Sequence, residues 1–198
     1  MEVGWYLNKV RETLSYVSEQ EVRETVDEIV RAYRRKSSIF VIGNGGSAAN
    51  ASHFAQDLAK GVLVGEKEGE TIRALSLTDN VSSITAIAND DGYEKIFENQ
   101  LRFYAKDGDV LIAISGSGNS KNVLNAVRYA KANGLVTIAV TGYDGGPLRQ
   151  STDKGIHVPL KEMCTAESIH LVVFHLIIHL LRERLTGRRF DESCFERA

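Results

Sequence analysis

The residues with the clearest chemistry in this sequence lie in two short polar loops. One runs from Ser115 to Ser120 and holds three serines and two glycines directly after an apolar segment. The other runs from Gly43 to Ser47 and also follows an apolar segment. At a strand-to-helix junction, serine hydroxyls and backbone N–H groups can bind phosphate without lysine or arginine, and the helix dipole adds to the attraction. Two such loops in one chain predict a site for a phosphorylated ligand.

Other interpretations of these loops explain fewer of their residues. A serine that only caps the following helix would account for one of the three hydroxyls in Ser115–Ser120. The loop at Gly43–Ser47 superficially resembles a dinucleotide-binding turn. However, Ala48 replaces the third glycine, and the acidic Asp79 lies too far along the chain to bind the ribose. The sequence has no Gly-x-x-x-x-Gly-Lys-Ser/Thr segment, which excludes a P-loop.

Ionisable residues in two predicted helices could supply acid–base or metal chemistry. His53 and Asp57 lie four residues apart after the first loop, so they share a helix face. Their alternative role is a solvated surface pair. The apolar last helix is interrupted by Glu167, His170, His175 and His179. A buried ionisable group is costly without a partner, and a backbone carbonyl could serve each histidine in a purely structural role.

Glu167 and His175 are too far apart on one helix to bind a single atom together. Eight residues separate them, which is a rise of roughly 12 Å along an α-helix. A site that used both would require an extended substrate, a distorted first helical turn or contributions from two subunits.

The pattern around these residues predicts an α/β fold. Short apolar segments, typical of buried parallel strands, alternate with segments of helical spacing. The predicted strands are 38–42, 72–77, 109–114, 136–140 and 155–159, and the predicted helices among and after them are 48–60, 81–88, 93–104, 119–133 and 165–185. We predict a three-layer, flavodoxin-like, doubly wound sheet of five parallel strands. In the strand order 2-1-3-4-5, ligands bind between strands 1 and 3, which carry the two polar loops.

Two further helices are predicted before the first strand, at Trp5–Tyr16 and Glu19–Arg35. Ser18 is expected to cap the second helix, with Glu21 completing a capping box. The apolar stripe of that helix is Val22, Val26, Ile29, Val30 and Tyr33. Such stripes must be buried, either against a partner subunit or against the helices of the sheet.

Composition argues against several classes of function. With 24 basic and 26 acidic residues the net charge is −2, so we expect no binding to nucleic acid or to an anionic membrane. The apolar stretch Leu171–Leu181 is too short to span a bilayer, and charged residues interrupt any signal-peptide pattern. The two cysteines, Cys164 and Cys194, predict neither a disulfide framework nor a metal-binding pair. We therefore expect a cytoplasmic protein.

Taken together, these segments resemble the sugar isomerase (SIS) domain family, and within it the phosphoheptose isomerase branch. The resemblance runs from about residue 38 to residue 182 and, more loosely, through the N-terminal helices. The segments that carry it are Gly43–Ser47, His53–Ala55, Ala88–Asp90, Gly108–Leu111, Ser115–Ser120, Thr141–Gly142, Asp144–Gly146, Glu167–His170 and His175. The resemblance divides the chain into N-terminal helices for oligomerisation at 1–36, a phosphosugar-binding SIS domain at 37–186 and a tail at 187–198.

The resemblance implies an aldose–ketose isomerase of heptose biosynthesis. Its reaction would convert sedoheptulose 7-phosphate into D-glycero-D-manno-heptose 7-phosphate, a lipopolysaccharide precursor, in a homotetramer with active sites at subunit interfaces. The implied substrate-binding residues are Asn44, Gly45, Gly46, Ser47, Asp90, Ser115, Gly116, Ser117, Ser120 and Glu167. Asp57 and His175 would transfer the protons through an enediol, a reaction that requires a positioned acid and base. A zinc ion would be held by His53, Asp57, Glu167 and His175, a chemically suitable set of ligands.

The chain also departs from the family pattern at several positions. Asp57 stands where Glu is usual, and Glu167 stands where Gln is usual, which adds a negative charge that should favour a divalent cation. The remaining departures are Gly116 for Thr, Lys60 as the nearest cation in place of an Arg, and Cys164-Thr165 for Asp-Arg. These changes keep the phosphosugar site and leave open an isomerase that acts on another phosphosugar.

A non-catalytic SIS adaptor is the alternative function. The segments Ser47–Ala51, Thr85–Asp90 and Thr141–Gly146 resemble the branch that associates with the bacterial replication initiator. That branch lacks the catalytic acid and the second histidine, whereas this chain has Asp57 and His175. An adaptor has no use for these two groups, so we favour the enzyme.

Overall fold

A five-stranded parallel β-sheet forms the centre of the computed structural model, which describes residues 2–63 and 71–189. The strands are β1 (Ile39–Ile42), β2 (Ala74–Ser76), β3 (Val110–Ser115), β4 (Val136–Thr141) and β5 (Lys154–His157). Their order is β2-β1-β3-β4-β5, and every neighbouring pair is parallel. This arrangement confirms the predicted α/β, doubly wound fold and its strand order, although β2 is shorter than predicted.

The helices follow the predicted segments, with three differences. They are α1 (Val3–Leu14), α2 (Glu19–Arg35), α3 (Gly46–Gln56), α4 (Val81–Asp90), α5 (Ile96–Tyr104), α6 (Lys121–Ala132), α7 (Gly146–Ser151) and α8 (Met163–Thr186). The first difference is that residues 93–95 of the predicted helix 93–104 form a 3₁₀ turn before the α-helix begins. The helix predicted to reach Lys60 ends at Gln56 and continues as a π-helical turn, Asp57–Gly61. The short α7 was not predicted, because the glycines before it indicated only a turn. Its proline lies in the first helical turn, where the N–H that proline lacks would have no partner within the helix.

The sheet is covered on both faces, because successive side chains of a strand point to opposite sides. Along β3, Val110, Ile112 and Ile114 face a core that also contains side chains of α2, α3 and α8. Leu111 and Ala113 face a second core, formed with α5 and α6. The three predicted layers are therefore present.

Helix α2 packs on its own chain, against β5 and α8. The hydroxyl of Ser18 accepts a hydrogen bond from the Glu21 N–H at 3.3 Å, as predicted for the cap. The second half of the predicted capping box is wrong. The carboxylate of Glu21 instead accepts from the backbone N–H of His157 at 3.0 Å, which ties α2 to β5. The predicted apolar stripe of α2 therefore packs into the core of its own chain, where Ile29 is fully buried.

Helix α1 is much less covered. It contacts α8, and Thr13 is its buried residue. Four apolar side chains on it are exposed: Val3 by 78%, Trp5 by 55%, Leu7 by 61% and Leu14 by 38%. On α8, Val172 and Leu176 are also exposed. The chain therefore presents apolar side chains on two helices that touch one another.

Helix α8 is long and apolar enough to cross a membrane by length and composition alone. Half of its most apolar window is buried inside the protein, as in the core helix of a globular domain. It ends at Gly187, which adopts a left-handed conformation with φ 72°. Cys164 near its start is exposed. Most of the predicted tail, including Cys194, lies outside the described residues.

Candidate active site

Both predicted ligand loops lie at the carboxyl ends of adjacent strands. Gly43–Ser47 follows β1 and leads into α3, and Ser115–Ser120 follows β3 and leads into α6. Because β1 and β3 are neighbours in a parallel sheet, the loops share one edge, at the point where the strand order reverses. The sheet thus brings together the two segments that the sequence marks for ligand binding.

The hydroxyls of the serine loop are arranged around one another rather than as helix caps. Ser115 is buried, its oxygen accepts from the Gly118 N–H at 3.2 Å, and it lies 3.4 Å from the Ser120 oxygen. Ser117 accepts from the Asn119 N–H at 3.3 Å. Ser120 is the N-cap residue of α6, yet its side chain makes no capping bond. The purely structural interpretation of these serines, as helix caps, is therefore wrong for the one serine in the capping position.

A reciprocal amide pair joins the two loops. The Asn44 amide donates to Asn122 Oδ1 at 2.9 Å, and the Asn122 amide donates to Asn44 Oδ1 at 2.8 Å. The phenol of Tyr93 also donates to Asn44 Oδ1, at 2.9 Å. The sequence analysis missed Asn122 and Tyr93. The signal for Asn122 was its place two residues after Ser120, in the first turn of a helix that begins at the ligand loop.

Glu167 lies with the first loop and not with the predicted metal ligands. Its carboxylate rests directly against Gly46, where an added Cβ would displace it, and accepts from the Ser47 hydroxyl at 3.3 Å. Its backbone carbonyl accepts from the Asn50 amide at 3.0 Å. Glu167 thus lies among the predicted substrate-binding residues. The predicted four-residue metal set, which included Glu167, is not assembled within the described part of one chain.

The other three predicted metal ligands converge. Ligand atoms of His53, Asp57 and His175 all lie within 4.8 Å of one another. Asp57 Oδ2 is 3.3 Å from His53 Nε2 and 3.7 Å from His175 Nε2. The two imidazoles meet edge to face, with 5.1 Å between ring centroids. Two imidazoles and a carboxylate are a donor set that suits zinc, so these residues fit the predicted metal.

Helices α3 and α8 run side by side and set the spacing of these groups. Near their starts Glu167 meets Gly46, and further along Phe54 stacks on Phe174 with 4.3 Å between ring centroids. The triad of His53, Asp57 and His175 lies beside this stack. His53 directly precedes Phe54, and His175 directly follows Phe174. Asp57 begins the π-helical turn, a local widening of a helix that is frequent at functional sites. The triad therefore lies about two helical turns, roughly 12 Å, from Glu167 along α8.

Asp90 is the predicted sugar-binding residue with the least contact to this site. It ends α4, is exposed, and accepts from the Asn89 amide at 2.7 Å. It precedes Tyr93 by three residues, and Tyr93 does reach the first loop. The segment that contains Asp90 is thus anchored beside the site through Tyr93.

His170 has the structural role that the sequence left open for the histidines of the last helix. Its Nε2 donates to the Thr141 carbonyl at 3.1 Å, and its buried Nδ1 has no partner among the described residues. Burial lowers the pKa of His170 to about 4, so the ring is neutral at physiological pH. Burial also lowers the pKa of His157, whose Nδ1 lies 3.0 Å from the Thr141 hydroxyl. These two rings brace the end of β4, next to the serine loop.

Comparison with known proteins agrees with this arrangement. The model of the SIS domain matches residues 5–142. The chain belongs to the SIS domain family. A probable phosphoheptose isomerase from Thermoplasma acidophilum is 37% identical over 184 residues, which cover 93% of this chain and all of that protein. A phosphoheptose isomerase from Aliarcobacter butzleri is 38% identical, and the match covers 89% of this chain and 93% of that protein.

A solved structure supports the same membership. The phosphoheptose isomerase of Neisseria gonorrhoeae superposes with a TM-score of 0.83 at 29% identity, covering 90% of this chain and 96% of that one. As an SIS domain protein, the chain has its ligand loops at the edge of the sheet predicted for the fold. The family resemblance drawn from its motifs is confirmed.

Proposed function

We propose that this SIS domain protein is an aldose–ketose isomerase that converts sedoheptulose 7-phosphate into D-glycero-D-manno-heptose 7-phosphate. The observation that carries the proposal is the convergence of Asp57 with two imidazoles, in a chain that also has a hydroxyl-rich loop for phosphate. Relatives that are 37–38% identical over most of their length carry the name phosphoheptose isomerase, which supports this substrate. We further propose a cytoplasmic place in heptose biosynthesis.

The serine loop binds the phosphate in this proposal. Ser115, Ser117 and Ser120 supply hydroxyls, and the start of α6 supplies backbone N–H groups and the positive end of the helix dipole. The binding therefore requires no lysine or arginine. Asn44, Ser47 and Glu167, in and against the first loop, then face the sugar.

Asp57 and His175 transfer the protons of the isomerisation. One group removes the proton from the carbon next to the carbonyl, and the other moves the hydroxyl proton, so that an enediol forms and collapses to the isomer. Asp57 Oδ2 and His175 Nε2 are 3.7 Å apart, close enough to act on adjacent substrate atoms. His53 lies 3.3 Å from the same carboxylate oxygen and orients it.

His53, Asp57 and His175 would hold the proposed zinc ion. A bound divalent cation supplies positive charge that stabilises the developing negative charge on the substrate oxygen. Two imidazole nitrogens and one carboxylate oxygen would provide its ligands.

A second copy of the chain completes the site in this proposal, as part of a homotetramer. Within one chain the triad and the first loop are separated by about two helical turns. His175 is half exposed, and its neighbours Val172 and Leu176 on α8 are exposed apolar side chains. An apolar surface that surrounds a catalytic group supports burial of that group at a subunit interface.

The test is turnover of sedoheptulose 7-phosphate, with and without added zinc, followed by formation of the heptose 7-phosphate. We expect turnover by the wild-type chain and its loss in His175→Gln. Thermal stabilisation by several phosphosugars without turnover would instead support another phosphosugar substrate or the adaptor.

A further inference from the structure

We propose that Asn122 and Tyr93 are positioning residues that hold the Asn44 amide as a hydrogen-bond donor toward the sugar of the substrate. The inference rests on the proposed function and adds to it two residues and the direction of one contact. The two residues act through the amide pair of Asn44 and Asn122, which joins the two ligand loops.

The orientation of Asn122 is fixed by the backbone. Its Oδ1 accepts from the Val123 N–H at 2.9 Å, and a backbone N–H can only donate. Asn122 is also only 2% exposed, so its side chain cannot turn into solvent. Its amide nitrogen therefore occupies the other terminal position of the side chain, where it donates to Asn44 Oδ1.

The orientation of Asn122 fixes that of the Asn44 side chain. Asn44 Oδ1 accepts from Asn122 and from the Tyr93 phenol, so both of its lone pairs are in use. One hydrogen of the Asn44 amide goes to Asn122 Oδ1. Within the described ranges 2–63 and 71–189, the second hydrogen has no acceptor. Asn44 can thus offer a ligand a donor, and the sugar must present an oxygen to it.

The Tyr93 phenol adds a second function at the edge of the site. Its side chain is 55% exposed while its hydroxyl is held by Asn44, so the ring lies over the first loop with its polar atom inward. The phenol oxygen keeps its lone pairs and can accept a hydrogen bond from a sugar hydroxyl. Tyr93 and Asn44 together therefore offer one acceptor and one donor to the hydroxyl groups of the sugar.

The variant that tests this chain of contacts is Asn122→Asp. The carboxylate has the same shape and still accepts from Val123, but it presents an oxygen to Asn44 Oδ1 instead of a donor. Asn44 is then repelled from its orientation. An acidic residue in the first turn of α6 is favourable to the helix, so the protein should fold. Lys121→Gln is the matched control, because it lowers the charge by the same amount at the neighbouring exposed position.

The readout is the ratio of the KM for sedoheptulose 7-phosphate to the inhibition constant of inorganic phosphate, which cancels effects on the phosphate loop. Loss of one hydrogen bond predicts a rise of about tenfold in this ratio for Asn122→Asp, at little change in kcat. Tyr93→Phe removes one donor from an exposed ring and predicts a rise of roughly threefold. An unchanged ratio in Asn122→Asp, or an equal rise in Lys121→Gln, would overturn the inference.

A second readout separates this inference from the proposed function. If the wild-type protein does not turn over the heptulose phosphate, the proposed function fails, and the Asn44 side-chain amide signals in ¹H–¹⁵N spectra test the inference. Shifts of these signals in Asn122→Asp and Tyr93→Phe, but not in Lys121→Gln, support the positioning role. Identical signals in all variants contradict it.

Discussion

Asp57 and His175 are the residues whose replacement should separate chemistry from binding. Asp57→Asn and His175→Gln keep the size of the side chain but remove a proton-transferring group. We expect each to lower kcat by about 10²- to 10⁴-fold, the usual contribution of general acid–base catalysis. Steady-state kinetics on the heptulose phosphate measures this. The matched control is His179→Gln on the same helix, and near-normal turnover in both active-site variants would contradict the assignment.

Loss of a single triad ligand should weaken the binding of zinc. His53→Gln and His175→Gln each remove one ligand of the triad, so the metal content should fall well below that of the wild type. Glu167→Gln should bind zinc as the wild type does, because its carboxylate lies against Gly46 and Ser47. Elemental analysis after incubation with zinc and desalting provides the measurement. A loss of zinc in Glu167→Gln would instead show that Glu167 is a metal ligand.

Single residues also show what the sequence could and could not predict about the site. His53 and Asp57 could be paired from their spacing, because four residues along a helix bring side chains to one face. Their meeting with His175 depends on the packing of α3 against α8, which no local pattern records. The same packing places the carboxylate of Glu167 against Gly46. The negative charge that Glu167 adds, relative to the Gln usual in the family, therefore lies at the first loop and not at the metal site.

The conformation of the serine loop, between β3 and α6, depends on Gly118. Gly118 has φ +66°, and a Cβ there would collide with the backbone carbonyl of Gly145 in the turn before α7. We expect Gly118→Ala to lower the free energy of unfolding by roughly 2 kcal/mol or more. Gly116→Ala is the matched comparison, since its Cβ would lie 2.5 Å from the sulfur of Met163, a flexible side chain that can move. Denaturant titration should show the larger loss for Gly118.

The buried imidazole between α8 and β4 predicts a pH dependence of stability. His170 has an ordinary pKa of 6.5 in the unfolded chain and about 4 when folded. Between these values the unfolded chain binds more protons, so stability falls as pH falls from about 6.5 to about 4, by up to roughly 3 kcal/mol. His157 and His179, whose pKa values are lowered by burial, act in the same direction.

Thermal unfolding between pH 4 and pH 8 measures this effect. The variant His170→Gln can still donate to the Thr141 carbonyl but does not titrate. Its melting temperature should therefore depend less on pH than that of the wild type. Parallel curves for the two proteins would exclude His170 as a source of the acid sensitivity.

The secondary-structure elements could be predicted well, and each departure from the prediction has a physical cause. The strands were found because they are buried on both faces and read as apolar runs. The π-helical turn at Asp57–Gly61 has only five residues, too few for residue spacing to distinguish it from a continuation of α3. The capping box failed because Glu21 finds a donor at His157, 136 residues away.

For the whole molecule, the exposed apolar side chains of α1 and α8 predict self-association. We expect a tetramer in sedimentation experiments, and dissociation when Leu176 on α8 or Leu7 on α1 is replaced by Glu, because a charge cannot be buried there without a partner. Turnover should fall with the assembly in both variants. Ser82→Glu, at an exposed polar position in the first turn of α4, is the control and should stay assembled. A fully active monomer would contradict an interface site.

The exposed indole on α1 gives this protein a built-in optical probe. Trp5 is the single tryptophan of the sequence, and over half of its surface is open to water in the isolated chain. Its fluorescence emission should shift to shorter wavelength whenever α1 becomes covered by another subunit. A dilution series would then report the strength of association without any label, and the same signal could follow the assembly of the enzyme as it refolds.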